Sequence, residues 1–161
     1  MKMINHELFG KLEYKNNIWR GKITITMFNL EKEILLTVDA HESADFSNVQ
    51  RQAFIIFLQG MKDLINEVEQ QVYDDYNESY EKYRDMLGNE SEADKVASKI
   101  DSILDLKRLV NPTEFIVRRV RKNDKRRLGL LCDVSWDIEN GLGIKIEDEI
   151  VEEVGYQDIV L

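Results

Sequence analysis

Cysteine, histidine and proline are nearly missing from this chain, and each shortage closes off a class of protein. The single cysteine, Cys132, has no internal partner. The fold is therefore expected to hold without disulfides, in a reducing compartment. The two histidines, His6 and His41, stand in no spacing that metal sites use. No apolar run approaches the ~20 residues a bilayer demands. The opening Met1-Lys2-Met3-Ile4-Asn5-His6-Glu7 lacks the apolar stretch of a signal peptide. Gly141-Leu142-Gly143 sits between strand patterns and precedes no helix, so it is no phosphate loop. These absences point to a cytoplasmic protein with no cofactor and no readable catalytic site.

What the chain does have is charge, unevenly placed. Formal net charge is -9, from 31 acidic and 22 basic side chains. Seven of the basic groups fall between residues 118 and 127: Arg118, Arg119, Arg121, Lys122, Lys125, Arg126 and Arg127. Such a cluster could meet phosphate or an acidic protein surface, whereas the simpler reading is a solvated hairpin tip facing the acidic helix of the same molecule. Nucleic-acid binding would call for stacking aromatics or a recognisable module nearby, and neither is present.

The length of 161 residues fits one domain, 1–161, able to bury a core of its own. Strand patterns occupy about 8–40, a helical region about 47–106, and strands again about 113–154. Ile23, Ile25 and Met27 alternate with Lys22, Thr24 and Thr26, the period of a half-buried strand. Lys15-Asn16-Asn17 signals a turn. Ser47-Asn48-Val49-Gln50 fits a capping box. From there Ala53, Phe54, Phe57, Leu58, Met61, Leu64, Ile65, Val68, Val72 and Tyr76 form one helical stripe. That spacing predicts one long helix from about 48 to at least 76, or as far as Leu87. The order strands, helices, strands gives an α+β fold, with an antiparallel sheet or two small sheets packed on the long helix.

Asn111-Pro112 is expected to end the helical region, with strands resuming at Thr113. A strand then runs Leu128 to Ile138, with Leu130, Cys132, Val134, Trp136 and Ile138 facing the core. Asn140-Gly141 reads as a two-residue type I′ hairpin loop returning into Leu142 to Glu147. Asp137 and Glu139 would then share a strand face, where a carboxylate pair could do acid/base work or hold a divalent cation. Simple alternation of core and solvent faces explains the same pattern. Gly143 leaves room for a close neighbour, a place that Gly155-Tyr156-Gln157-Asp158 could fill. Gln157 and Asp158 are read as satisfying backbone groups there.

Two stretches carry a family resemblance: Gln50 to Leu58 with Tyr73 to Tyr76, and Gly129 to Ile144 with Val154-Gly155-Tyr156-Gln157-Asp158. They resemble a bacterial family of uncharacterised domains with a Trp-Asp-x-Glu-x-Gly-Leu-Gly hairpin and a Val-Gly-x-Gln-Asp ending. Here those positions are Trp136, Asp137, Glu139, Gly141, Gly143, Gly155, Gln157 and Asp158, with Asn140 where members often carry His. Such domains are associated with bacterial polymorphic-toxin loci, where small acidic proteins serve as immunity factors. The resemblance implies a non-enzymatic protein that binds a partner, a toxin in the sharpest form. The alternative from another class is a small hydrolase or metal-dependent enzyme built on Asp137 and Glu139.

Overall fold

The computed structural model describes residues 2–122 and 124–161, so Met1 and the basic turn's Asn123 lie outside the described residues. The fold is α+β. Among the described residues eight strands form one sheet in chain order: β1 (Lys2–His6), β2 (Gly10–Lys15), β3 (Ile18–Met27), β4 (Leu30–Val38), β5 (Val110–Val117), β6 (Arg127–Val134), β7 (Leu142–Glu147) and β8 (Ile150–Gly155). Every neighbouring pair is antiparallel except β4 and β5, which run parallel. The helical segment lies between those two strands, and a parallel pair needs a crossover of that kind. Among the described residues no helix is long and apolar enough to cross a membrane.

Among the described residues three hairpins turn on residue pairs that both have positive φ: Asn16-Asn17, Phe28-Asn29 and Asp148-Glu149. That is the backbone of a type I′ turn, whose twist matches the flanking strands. The expected Asn140-Gly141 hairpin is a correction. Of those two residues, only Gly141 has positive φ, and β6 ends at Val134 rather than Ile138. Residues 135–141 form a longer loop in which Gly141 N donates to Asp137 O across 3.0 Å. Ile138, expected in the core, is 86% exposed. The alternation of apolar residues runs past the strand because the strand stops four residues early, with the turn starting at Ser135.

The long helix is also divided. Ser47 and Gln50 form the expected capping box, opening α1 (Asn48–Gln59). Gly60, at φ -114° and ψ 22°, bends the chain before α2 (Met61–Leu87). The hydrogen bonding carries on through the bend: Gly60 N donates to Ile56 O at 3.0 Å, and Leu64 N to Gly60 O at 3.1 Å. The bend lets α1 lay Phe57 on Phe115 of β5, ring centroids 4.3 Å apart, while α2 reaches both β3 and β8. A left-handed Gly88 closes α2, and α3 (Glu90–Val96) follows with Asn89 as its cap. β5 starts at Val110, earlier than expected, and contains Pro112. A bulge between Pro112 and Glu114 accommodates it within the sheet.

One face of the sheet and the helices share a large apolar core that includes Trp19, Phe28, Leu36, Tyr76, Leu130 and Ile144. On the other face a small cluster of Ile116, Leu131 and Val160 forms under a C-terminal 3-10 turn, Gln157–Val160. Gly129 makes that docking possible, since a Cβ there would lie 2.9 Å from Val160 Cβ.

Candidate functional site

The loop 135–141 and the C-terminal turn close on each other through one glutamine. Gln157 N donates to Asn140 O at 3.0 Å, and Gln157 Nε2 donates to Cys132 O at 2.9 Å. Gly141 of the loop and Gly143 of β7 make room for it. Any side chain at Gly141 would overlap the Gln157 amide, and a Cβ at Gly143 would sit 2.6 Å from Tyr156 O. Asp137 takes the Asn140 backbone N–H at 3.2 Å and its Nδ2 at 3.0 Å, which fixes the turn from inside. The loop is thus held by local polar contacts and by the last residues of the chain.

Trp136 is half-buried against Tyr76 of α2, ring centroids 4.6 Å apart. Tyr76 in turn donates its hydroxyl to Ser98 O at 2.5 Å. Between α2 and the loop lies a cleft of about 360 Å³. Asp75, Ser79 and Tyr83 line it from α2, Trp136 from the loop, and Glu153, Tyr156 and Asp158 from the chain end. Among the described residues, Asp75, Glu153 and Asp158 have no ion-pair partner. Burial, with Glu78 adding repulsion, raises the Asp75 carboxyl above its ordinary range. Burial first, then Tyr156 and the carboxylates of Asp137 and Asp75, push the Tyr83 phenol up to about 12. Each shift has the sign that burial gives, and the neighbouring acidic groups add to it. A cation entering between these rings would meet π-faces as well as carboxylates.

The basic decade lies at the other end of β6, about 26 Å away by strand rise. Most of its charge is met within the molecule. Arg126 grips Glu149 through two bonds of 2.9 and 2.8 Å and approaches Asp148 at 3.5 Å. Arg127 approaches Glu147 at 3.7 Å and Asp124 at 3.8 Å; Lys125 reaches Glu147 at 3.6 Å; Arg119 reaches Asp39 at 3.6 Å. Among the described residues Arg118, Arg121 and Lys122 have no such partner. The acids that answer the cluster come mainly from the β7–β8 turn rather than from the helix.

Asp137 and Glu139 lie in the loop, so they share no strand face. Asp137 is turned into the Asn140 cap, while Glu139 is exposed. Among the described residues no three His, Cys, Asp or Glu converge as metal ligands. Cys132 is fully buried, and burial, with Asp133 adding repulsion, pushes its thiol far up from the usual range. Such a thiol makes a small core residue rather than a nucleophile. Sequence reasoning missed Asp75 and Ser79 on the α2 side of the cleft; Tyr83 belongs to a run with Tyr73, Tyr76 and Tyr80 that the sequence allows as a binding face, although helix-packing tyrosines are commoner.

Residues 8–161 match the family described as Domain of unknown function (DUF6985). The chain belongs to that family. The match takes in the whole cleft, from Asp75 through Trp136 to Asp158. Among curated proteins and among solved structures there is no match.

Proposed function

We propose that this DUF6985 chain is a non-enzymatic, cytoplasmic bacterial protein-binding domain, serving as an immunity factor that captures a basic toxin through the acidic aromatic cleft. The observation that carries this is the pairing of Tyr83, Trp136 and Tyr156 with three carboxylates that have no ion-pair partner among the described residues. Tyr and Trp are the side chains that most often dominate binding energy at interfaces. Unpaired carboxylates speed encounter with a basic surface and select its sign. Tyr156, 45% exposed, leaves part of the cleft's aromatic wall open, and the loop that carries Trp136 also exposes Ile138 at 86%.

The test is co-expression with the product of the adjacent gene, followed by calorimetry on the purified pair. A one-to-one complex is expected. An Asp75→Asn/Asp158→Asn variant should bind at least tenfold more weakly, a loss of about 1.4 kcal/mol. Failure to form any complex sinks the immunity reading. A complex indifferent to both substitutions moves the interface elsewhere. The hydrolase or metal-enzyme alternative built on Asp137 and Glu139 has no observation in its favour, since one is committed to a turn and the other points to solvent.

A further inference from the structure

β3 is ten residues long, yet β2 pairs with only its first three, Ile18 to Arg20. The reason lies in the apolar residues of the β1–β2 hairpin. Leu12 is buried, and Phe9 packs on Phe46 and Phe54, ring centroids 5.1 and 4.9 Å apart. To place them there β2 swings across Gly21, where a Cβ would meet Lys11 O at 2.7 Å. From Gly21 to Met27, β3 has β4 on one side and, among the described residues, no strand on the other.

The register says which backbone groups are left bare. Two-residue hairpins close on a hydrogen-bonded pair. Met27 pairs with Leu30 at one end of β3, so Met27, Ile25, Ile23 and Gly21 bond to β4. Lys15 pairs with Ile18 at the other end, so Ile18 and Arg20 bond to β2. The two hairpins agree: the amides and carbonyls of Thr24 and Thr26 face the open side. Both residues are exposed, and no hydrogen-bond partner for their backbone N–H is found among the described residues.

Two grooves flank this edge. One of about 710 Å³ lies at Thr26, with Met61, Ile65 and the 49% exposed Leu104 as its apolar wall. The other, about 640 Å³, lies at Gly21 and carries Lys11, Lys15, Arg20 and Lys22 against Glu13. Among the described residues Arg20 Nε is buried there without a hydrogen-bond partner, and the exposed Lys22 has only a 3.5 Å contact with Glu33. We infer that β3 accepts an extended segment of a partner protein as an added strand along residues 22–27, one that alternates apolar side chains with carboxylates. The backbone ladder would bind it, the groove by Ile65 would take its apolar residues, and the lysines would set the preference for acid. This edge is independent of the acidic cleft: along α2, Ile65 and Tyr83 are about 27 Å apart.

The test has two arms. In the free chain, amide exchange at Thr24 and Thr26 should run on the order of 100-fold faster than at Ile23 and Ile25. A short synthetic peptide alternating isoleucine and glutamate should bind and slow exchange at both threonines. Thr24→Pro removes an edge N–H and should abolish that binding, while Thr24→Val, which keeps the N–H, should preserve it. Four results overturn the proposal: Thr24 and Thr26 as protected as Ile23 in the monomer, protection that appears only with self-association at high concentration, no peptide binding, or binding that survives Thr24→Pro. The exchange and peptide arms use the unaltered chain, so misfolding of the proline variant leaves the proposal open to refutation.

Discussion

Gly143→Ala tests the coupling between the loop and the chain end. A Cβ at this position would lie 2.6 Å from Tyr156 O and 3.1 Å from Gln157 Cα. An ordinary carbon–oxygen contact is about 3.5 Å, so one side must yield by close to an ångström. Both sides are pinned. Gly143 pairs with Leu131 on β6 and Gly155 on β8, and Gln157 holds Asn140 O and Cys132 O. Overpacking of this kind costs about 1–3 kcal/mol. Yielding by the terminal segment would also sacrifice a hydrogen bond worth roughly 1 kcal/mol. A loss of about 2 kcal/mol lowers Tm by roughly 4–8 °C in a chain of this size. Urea unfolding of the variant beside Gly60→Ala is the decisive comparison. At Gly60 a Cβ meets only Ile56 O at an ordinary 3.6 Å, and φ of -114° suits alanine. Gly60→Ala should therefore be neutral or stabilising by up to about 1 kcal/mol. If Gly143→Ala matches the unaltered chain in stability, the packing of Tyr156–Gln157 onto β7 described above is wrong.

Gln157→Ala leaves Cys132 O short of its side-chain donor and should cost about 1–2 kcal/mol, read as a lower urea midpoint. Asp75 has a folded-state pKa above its unfolded one, so the folded chain binds the extra proton and stability falls as pH rises from the ordinary carboxyl range through the raised value. Asp75→Asn should accordingly raise Tm more at pH 7 than at pH 4; a variant less stable than the parent at pH 7 contradicts the burial account. Spectrophotometric titration should show tyrosines ionising near 12, well above the ordinary 10, with the absorbance step reduced in Tyr83→Phe. Asp137→Ala should cost about 1 kcal/mol by removing the Asn140 cap, whereas Glu139→Ala should stay within about 0.5 kcal/mol, both checked by thermal melts.

By itself the sequence determined the local features whose cause is local. The Ser47–Gln50 capping box, the alternation of Ile23, Ile25 and Met27, and the Asn16-Asn17 turn all follow from neighbours within a few residues. The α+β class followed from the order of those patterns. Only the tertiary structure decided where the patterns stop. Ile138 continues the apolar alternation of β6, yet the strand ends at Val134 because residues 135–141 turn to meet Gln157. Gly60 breaks a stripe that is periodic on both sides of it, because α1 and α2 pack on different strands. The short strand β1 has too little apolar content to announce itself and forms by pairing with β2. The cleft depends on the same long-range closure: Asp75 and Tyr83 lie more than fifty residues from Trp136. No spacing rule connects them, since what brings them together is α2 packing across the sheet and the chain end folding back over the loop.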